Sequence, residues 1–343
     1  MRRLLNTLYI TQPDAYLACE GENVLVRLEG ETRFRMPMHN LEGIVCFGYA
    51  GASPGLMSLC CERGVGLSFL TEQGQFMGRI SGSVSGNVLL RREQYRWADD
   101  EKIKLRLSKR YLLGKIMNSR AVLSRSMRDH PAAVPNEEGK QSTRRLMHIA
   151  THLEDACDIS QLMGMEGDAA KVYFSHFNDM VLAKKSDFRF DVRNRRPPLD
   201  RFNALLSFAY TLLTHEVTSA LESVGLDPQV GFLHGMRPGR PSLALDLMEE
   251  LRPHFADRLV FTLINRHQVE PDGFVLKENG AVLMDDVTRK TVLTQWQMRK
   301  SEELIHPYLE EKLPLGLVPY AQALLLARHI RGDIDDYPPF IWK

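Results

Sequence analysis

The stretch "SGSVSGNVLLRREQYRWADDEKIKLR", Ser81 to Arg106, marks a change of period in the chain. Its first six residues are small and polar, a composition that suits a hinge or linker. Before it lie short β-prone runs separated by Asn, Gly and Pro: "LLNTLYI", "AYLACEG", "ENVLVRLEG", "ETRFRMP" and "GIVCFGYA". Runs of this length and composition predict strands. One segment among them, "SPGLMSLCCERG", reads as a helix, with Ser53 as N-cap, Pro54 in the first turn and Gly64 after its end. After Asp99 the apolar residues recur at helical spacing, which predicts helices over 101–129, 142–157, 160–184, 199–224, 242–251, 289–304 and 316–331. The expected fold is α+β, with a mainly antiparallel N-terminal β domain over residues 1–90 and a larger all-α domain over 91–343. "NEEGKQ", 136–141, reads as an exposed loop, and the tail "DYPPFIWK" is too rich in proline for a helix. Phe340, Ile341 and Trp342 of that tail must dock either on a partner or on their own domain.

Length and composition narrow the function classes. At 343 residues the chain is long for one core and has ample apolar content to fold. Its start, "MRRLLNTLYITQPD", turns polar too soon for a secretory signal, and no run of about 18 apolar residues is present. A cytoplasmic protein that enters no membrane is expected. The cysteines, Cys19, Cys46, Cys60, Cys61 and Cys157, are odd in number and lack a C-x-x-C pair, so they indicate neither a disulfide framework nor a thiolate metal site. A net charge of +1 leaves nucleic acid open, because a basic face can be balanced elsewhere.

The candidate chemistry begins in "GFLHGMRPGRPSLALDLMEELRP", Gly231 to Pro253. At 100° per residue Leu243, Ala244, Leu247, Met248 and Leu251 form the stripe that faces the core. Asp246, Glu249 and Glu250 fall on the other side, either as a solvated acidic face or, since Leu245 interrupts it, as a face that meets something. In the helix "DISQLMGMEGDAAKVYFSHF", Glu166 shares a stripe with Ile159, Met163, Ala170, Tyr173 and Phe177, while Asp168 points the opposite way. A carboxylate on such a stripe needs a proton, a cationic partner or a metal. Gly164 and Gly167 beside it each cost about 1 kcal/mol relative to Ala, which close approach of a backbone or ligand would explain. His234 alone, like most lone histidines, reads as structural. With Glu166 and the acidic helix it completes a mixed imidazole and carboxylate set suited to Mg²⁺ or Mn²⁺.

Basic residues surround these groups. Arg237, Arg240 and Arg252 flank the acidic helix, and Arg193, Arg195 and Arg196 crowd the loop "DVRNRRPPLDR". Lys102, Lys104, Arg106, Lys109, Arg110 and Lys115 crowd the first half of another helix. The loop and the helix could each be a solvated face, yet the two together favour nucleic acid. "HIATH" spaces His148 and His152 as a zinc helix does, but it lacks the glutamate and third ligand such a site needs.

Taken in order, "GMEGDAAKVYF", "LDRFNALLSFAYTLL" and "GLDPQVGFLHGMRPGRPSLALDLMEELRP" resemble the CRISPR-associated Cas1 integrase family. The signature is a glutamate in E-G-x-x-A, a histidine in G-F-x-H and, about a dozen residues on, a D-x-x-D/E pair. With the "DYPPFIWK" end the pattern is most similar to the I-C subtype, over nearly the full length. The resemblance implies Glu166, His234 and Glu249 as metal ligands, with Asp246 as a supporting catalytic carboxylate. Glu249 stands where other branches carry Asp, and Glu250 does not match the motif. Arg252 falls where the family often has a cation near DNA. Further implications are an N-terminal β domain, a homodimer, and a Cas2 dimer that bridges two such dimers. The activity implied is Mg²⁺- or Mn²⁺-dependent cleavage of double-stranded DNA and strand transfer of spacer precursor into the CRISPR repeat by a 3′-OH. The same residues would serve a structure-specific repair nuclease, and a non-catalytic DNA-binding scaffold is the alternative outside enzymes.

Overall fold

The computed structural model describes residues 6–12, 14–71, 76–80, 88–133 and 136–342. The linker expected at Ser81–Gly86 lies outside the described residues. The chain opens with β1 (Thr7–Ile10), β2 (Tyr16–Glu20), β3 (Asn23–Leu28), β4 (Glu31–Pro37), β5 (Gly43–Phe47) and β6 (Gly51–Ala52). Helix α1 (Pro54–Arg63) and strands β7 (Gly66–Leu70) and β8 (Phe76–Ile80) follow. Two four-stranded sheets result, ordered β4-β3-β2-β6 and β1-β5-β7-β8. Leu17, Val24, Met38, Ile44, Leu56 and Leu67 fill the core shared with α1. Truncating any of the leucines or the isoleucine to Ala would cost about 2–5 kcal/mol.

Only the first sheet is largely antiparallel, with β2 against β3 and β3 against β4. In the second, β1 and β5 run parallel, as do β5 and β7, which corrects the mainly antiparallel expectation. Strand composition does not report direction; the connections do, and α1 supplies the crossover between β5 and β7. Helix α1 forms as expected, with Ser53 Oγ accepting the Leu56 N–H at 3.2 Å and Gly64 closing it at φ +65°.

The rest is mainly helical. It contains α2 (Val88–Asp99), α3 (Glu101–Asp129), α4 (Asn136–Thr151), α5 (Ile159–Phe174), α6 (Phe177–Met180), α7 (Arg201–Ser223) and α8 (Ser242–Glu249). A π-helical segment, Arg252–Asp257, leads into α9 (Arg258–Asn265). Two small hairpins, Phe274–Leu276 with Val282–Met284 and Glu303–Ile305 with Lys312–Pro314, flank α10 (Asp286–Lys300), and α11 (Val318–Ile330) follows. The all-α expectation therefore missed two hairpins, and the expected loop "NEEGKQ" is the start of α4, where Glu137 and Glu138 suit the positive end of a helix. No described helix is long and apolar enough to cross a membrane.

Helix α3 is the spine of this half. Asp100 caps it through the N–H groups of Lys102 and Ile103 at 2.8 and 3.1 Å, and its face of Leu107, Tyr111, Leu112, Ile116, Val122 and Leu123 is buried. Helix α7, capped by Asp200 on the Asn203 N–H at 2.7 Å, is buried on most of its circumference. Helix α8 packs against both, so its acidic side has nowhere to meet bulk water. The Phe177 ring lies within 5.5 Å of the rings of Tyr173, Phe174, Phe190, Phe202 and Phe261, which locks α5 and α6 to α7 and α9. The sheets join this mass directly: Phe47 of β5 meets Phe208 of α7 at 5.8 Å, and Lys300 Nζ bonds both Glu216 and Thr7 Oγ1. The tail folds back on its own helices, with Tyr337 and Phe340 buried.

Candidate active site

Three segments converge between α3, α5 and α8. The first is the loop before α8, which is wrapped around one carboxylate. Asp246 is fully buried; its Oδ2 accepts the N–H groups of Phe232 and Leu233 at 2.6 and 3.0 Å, and its Oδ1 accepts that of His234 at 2.8 Å. Oδ1 also lies 2.7 Å from His234 Nδ1. A Cβ on Gly231 would stand 2.6 Å from the Ser242 carbonyl carbon and 2.7 Å from Asp246 Oδ2, so only glycine permits the wrap. With Nδ1 donating to the carboxylate, the imidazole presents its Nε2 lone pair outward, 3.8 Å from Glu249 Oε1. Asp246 thus orients His234 and has no oxygen left to offer a metal.

Glu249 is 3% exposed, and Glu250 is wholly buried. The solvated acidic face considered for this helix is therefore absent. Glu249 Oε1 meets Arg252 Nη1 at 2.6 Å and Oε2 meets Lys115 Nζ at 2.7 Å. Burial alone would push this carboxyl up, but Arg252, Lys115 and His234 outweigh it and hold it down at about 2. The Lys115 contact is off the line a hydrogen bond needs, which leaves the buried Oε2 without a hydrogen-bond donor. The same ammonium touches Glu166 Oε1 from α5. Lys115 appeared in the sequence as one member of a basic run, and the signal that singles it out is its neighbour Gly114. A Cβ there would lie 2.7 Å from Glu250 Cβ, so glycine lets α3 approach α8 closely enough to deliver the lysine.

Glu250 faces away from this centre. Tyr337 OH donates to its Oε1, Gln322 Nε2 reaches the same oxygen at 3.0 Å, and Phe340 N–H donates to Oε2 at 2.8 Å. Burial nevertheless raises its carboxyl to about 7. Its work is to hold the tail. Gly164 and Gly167, expected to admit a close neighbour beside Glu166, face open space: among the described residues no atom from outside their own helix turn lies within 4 Å of an added Cβ at either.

The arginines divide into two groups. Arg252 and Arg193, expected at a phosphate surface, instead stack on the Tyr210 ring at 4.8 and 5.4 Å, and both are already engaged. Arg252 is paired with Glu249, and Arg193 Nη1 donates to Asn203 Oδ1 at 2.7 Å and Ser207 Oγ at 3.0 Å. Arg195, Arg196 and Arg237 are exposed and Arg240 is half-buried. Burial lowers the Arg240 guanidinium, and so does the positive charge of Arg237, Arg195 and Arg196 nearby, so these four form one basic rim. The rings of His148 at the end of α4 and His152 just beyond it lie 4.0 Å apart, tilted at 45°, and among the described residues no third ligand joins them.

Among the described residues no three His, Cys, Asp or Glu side chains are already spaced to hold an ion; Lys115 stands between the Glu166 and Glu249 carboxylates, and Arg252 pairs with Glu249. The donors nevertheless fit a hard divalent ion: two carboxylates that touch one ammonium, a free imidazole Nε2, and a buried Glu249 oxygen that lacks a donor.

Comparison with known proteins gives this geometry a setting. The family model described as CRISPR associated protein Cas1 matches residues 8–298. A CRISPR-associated endonuclease Cas1 from Chlorobaculum tepidum is 50% identical over 343 residues, covering 100% of both chains. Among solved structures, a casposase bound to integration product matches with a TM-score of 0.85 at 22% identity, over 99% of this chain and 95% of that one. A chain of a Cas6-RT-Cas1–Cas2 complex matches with a TM-score of 0.80 at 21% identity, over 98% of this chain and 36% of that one. At such identities both structural likenesses concern the fold.

Proposed function

This chain belongs to the CRISPR-associated Cas1 family, and on that premise we propose that it is a DNA endonuclease and integrase of CRISPR adaptation. It inserts spacer DNA into the repeat array by attack of a 3′-OH on a phosphodiester. One observation supports this reading above the others: Glu166, Glu249 and His234 Nε2, from separate segments, face one small volume beside a rim of arginines. Glu166, His234 and Glu249 would hold Mg²⁺ or Mn²⁺, which when bound polarises the phosphodiester and activates the attacking hydroxyl or water. Asp246 keeps the imidazole turned so that Nε2 stays available. Glu249, held at about 2, is anionic at every pH at which DNA remains a substrate. Arg195, Arg196, Arg237 and Arg240 supply the positive rim that takes backbone phosphates.

With water as nucleophile the product is cleaved DNA; with a 3′-OH it is a joined strand. Exchange of one phosphodiester for another needs no nucleotide hydrolysis. The finer assignment is to the I-C subtype, working in the cytoplasm. The protein is a homodimer formed mainly through residues 1–90, and a Cas2 dimer bridges two such dimers. A strand-transfer assay with a 3′-OH duplex and a repeat-containing plasmid tests the proposal. Joined product is expected; cleavage without joining would favour a structure-specific repair nuclease, and binding without either would favour a scaffold.

A further inference from the structure

We propose that Lys115 is a built-in counter-cation: it pre-assembles the Glu166–Glu249 pair in the metal-free protein and yields its place when a divalent ion binds. Metal uptake is then an exchange of cations rather than the filling of a prepared cage. The inference rests on the reading of Glu166, His234 and Glu249 as metal ligands.

The two cations at the site are held in different ways. Arg252 is fixed from several sides, by Glu249 Oε1 at 2.6 Å and by the Tyr210 ring at 4.8 Å. Tyr210 is itself anchored through its hydroxyl to Asp257 Oδ1 at 2.8 Å. Lys115 Nζ touches Glu166 and Glu249 among the described residues, and its approach to Glu249 Oε2 lacks hydrogen-bond alignment. The ammonium donates a hydrogen bond to Glu166 Oε1 and is held to Glu249 by charge. Its side chain is 14% exposed and Glu166 is 19% exposed, so the gap has an opening through which the flexible ammonium can leave and an ion can enter. Without the lysine, the nearly buried Glu249 carboxylate would keep only Arg252 as a charge partner and would face Glu166 with mutual repulsion. With both lysine and metal present, two cations would compete for the same oxygens. A doubly charged ion at about 2.0–2.1 Å outcompetes a single charge at hydrogen-bond distance.

The alternative is an ordinary structural ion pair that stays in place when metal binds, and the two predict opposite signs. The test is Mn²⁺ titration calorimetry on the full chain, beside thermal unfolding in EDTA and in saturating Mn²⁺. Lys115→Met should melt lower than wild type in EDTA, regain or exceed the wild-type midpoint in Mn²⁺, and bind Mn²⁺ at least tenfold more tightly. Lys115→Arg should bind Mn²⁺ at least tenfold more weakly, because a guanidinium grips paired carboxylates with a fork of donors; it carries the test if the Met variant fails to fold. Unchanged affinity in the variant that folds, or weaker binding by Lys115→Met, overturns the proposal. Glu166→Gln and Glu249→Gln separate the two failures. If these lose Mn²⁺ while Lys115→Met binds as wild type does, the ligand reading stands and the Lys115 inference alone falls. If they bind Mn²⁺ as wild type does, the ligand reading has failed and takes the inference with it.

Discussion

Asp246 Oδ1 stands 2.7 Å from His234 Nδ1, and the same carboxylate accepts three successive backbone N–H groups of the loop that carries the histidine. Loop conformation and imidazole orientation are thus one structural event. In Asp246→Asn an amide nitrogen must face at least one of those N–H donors. Loss of a charge-assisted buried network should cost about 2–4 kcal/mol in urea unfolding. Mn²⁺ affinity should fall about 10–100-fold by calorimetry, as when an outer partner of a ligating histidine is removed.

Glu249 and Glu250 are adjacent but serve different parts of the molecule. Glu249→Ala should abolish cleavage and strand transfer in a Mn²⁺-dependent turnover assay and leave duplex affinity intact or slightly higher, since an anion is removed from a phosphate-binding surface. Glu250→Gln keeps an acceptor for only one of the Tyr337 hydroxyl and the Phe340 N–H, so it should loosen the tail but retain activity, because both contacts lie away from Glu249. Loss of turnover in the second variant but not the first would reverse the ligand assignment on α8.

The two arginine groups should separate in salt titrations of duplex binding. Arg195→Ala, Arg196→Ala and Arg237→Ala should each weaken binding, and each that contacts a phosphate should reduce the salt slope by about one unit. Arg252→Ala should leave that slope nearly unchanged and lower the unfolding free energy. It strips the nearly buried Glu249 of a partner, a class of change that costs about 3–5 kcal/mol.

The pH dependence of stability carries a signature of Asp257. Burial raises its carboxyl from 3.8 to about 6, although Tyr210, Arg252 and Tyr173 oppose the shift. The folded state therefore binds this proton more tightly than the unfolded chain does. Its stabilising contribution is present in full below about pH 4 and is lost as pH rises through about 6, a change of about 3 kcal/mol at most. Asp257→Asn should remove that term: the stability of wild type relative to the variant should fall between pH 4 and 6 and level off above, read from urea unfolding at unit pH steps.

Much of the architecture was legible along the chain because it is local. A capping side chain reaches two or three residues ahead, as Ser53, Asp100, Asp158, Asp200 and Asp285 all do here, so helix starts follow from short motifs. Period alone separated strands from helices, and the order of a glutamate, a histidine and an acidic helix was enough to point to the family. The direction of β1, β5 and β7 was hidden, since parallel pairing is decided by crossovers and not by strand composition. The division of labour among the acids was hidden for a similar reason. Glu249 and Glu250 lie about 100° apart on one helix, and only the packing of α3 and α5 on one side and the returning tail on the other makes one the partner of Lys115 and the other an anchor for Tyr337. Arg252 looked like a surface cation until Tyr210 and Glu249 enclosed it. Sequence by itself determined most of the elements, though not the two small hairpins or the start of α4, and the cast of chemical groups, because these depend on neighbours within a few residues. Tertiary structure alone decided which charges meet, because Lys115, Glu166, His234 and Glu249 come together only after segments more than a hundred residues apart have packed.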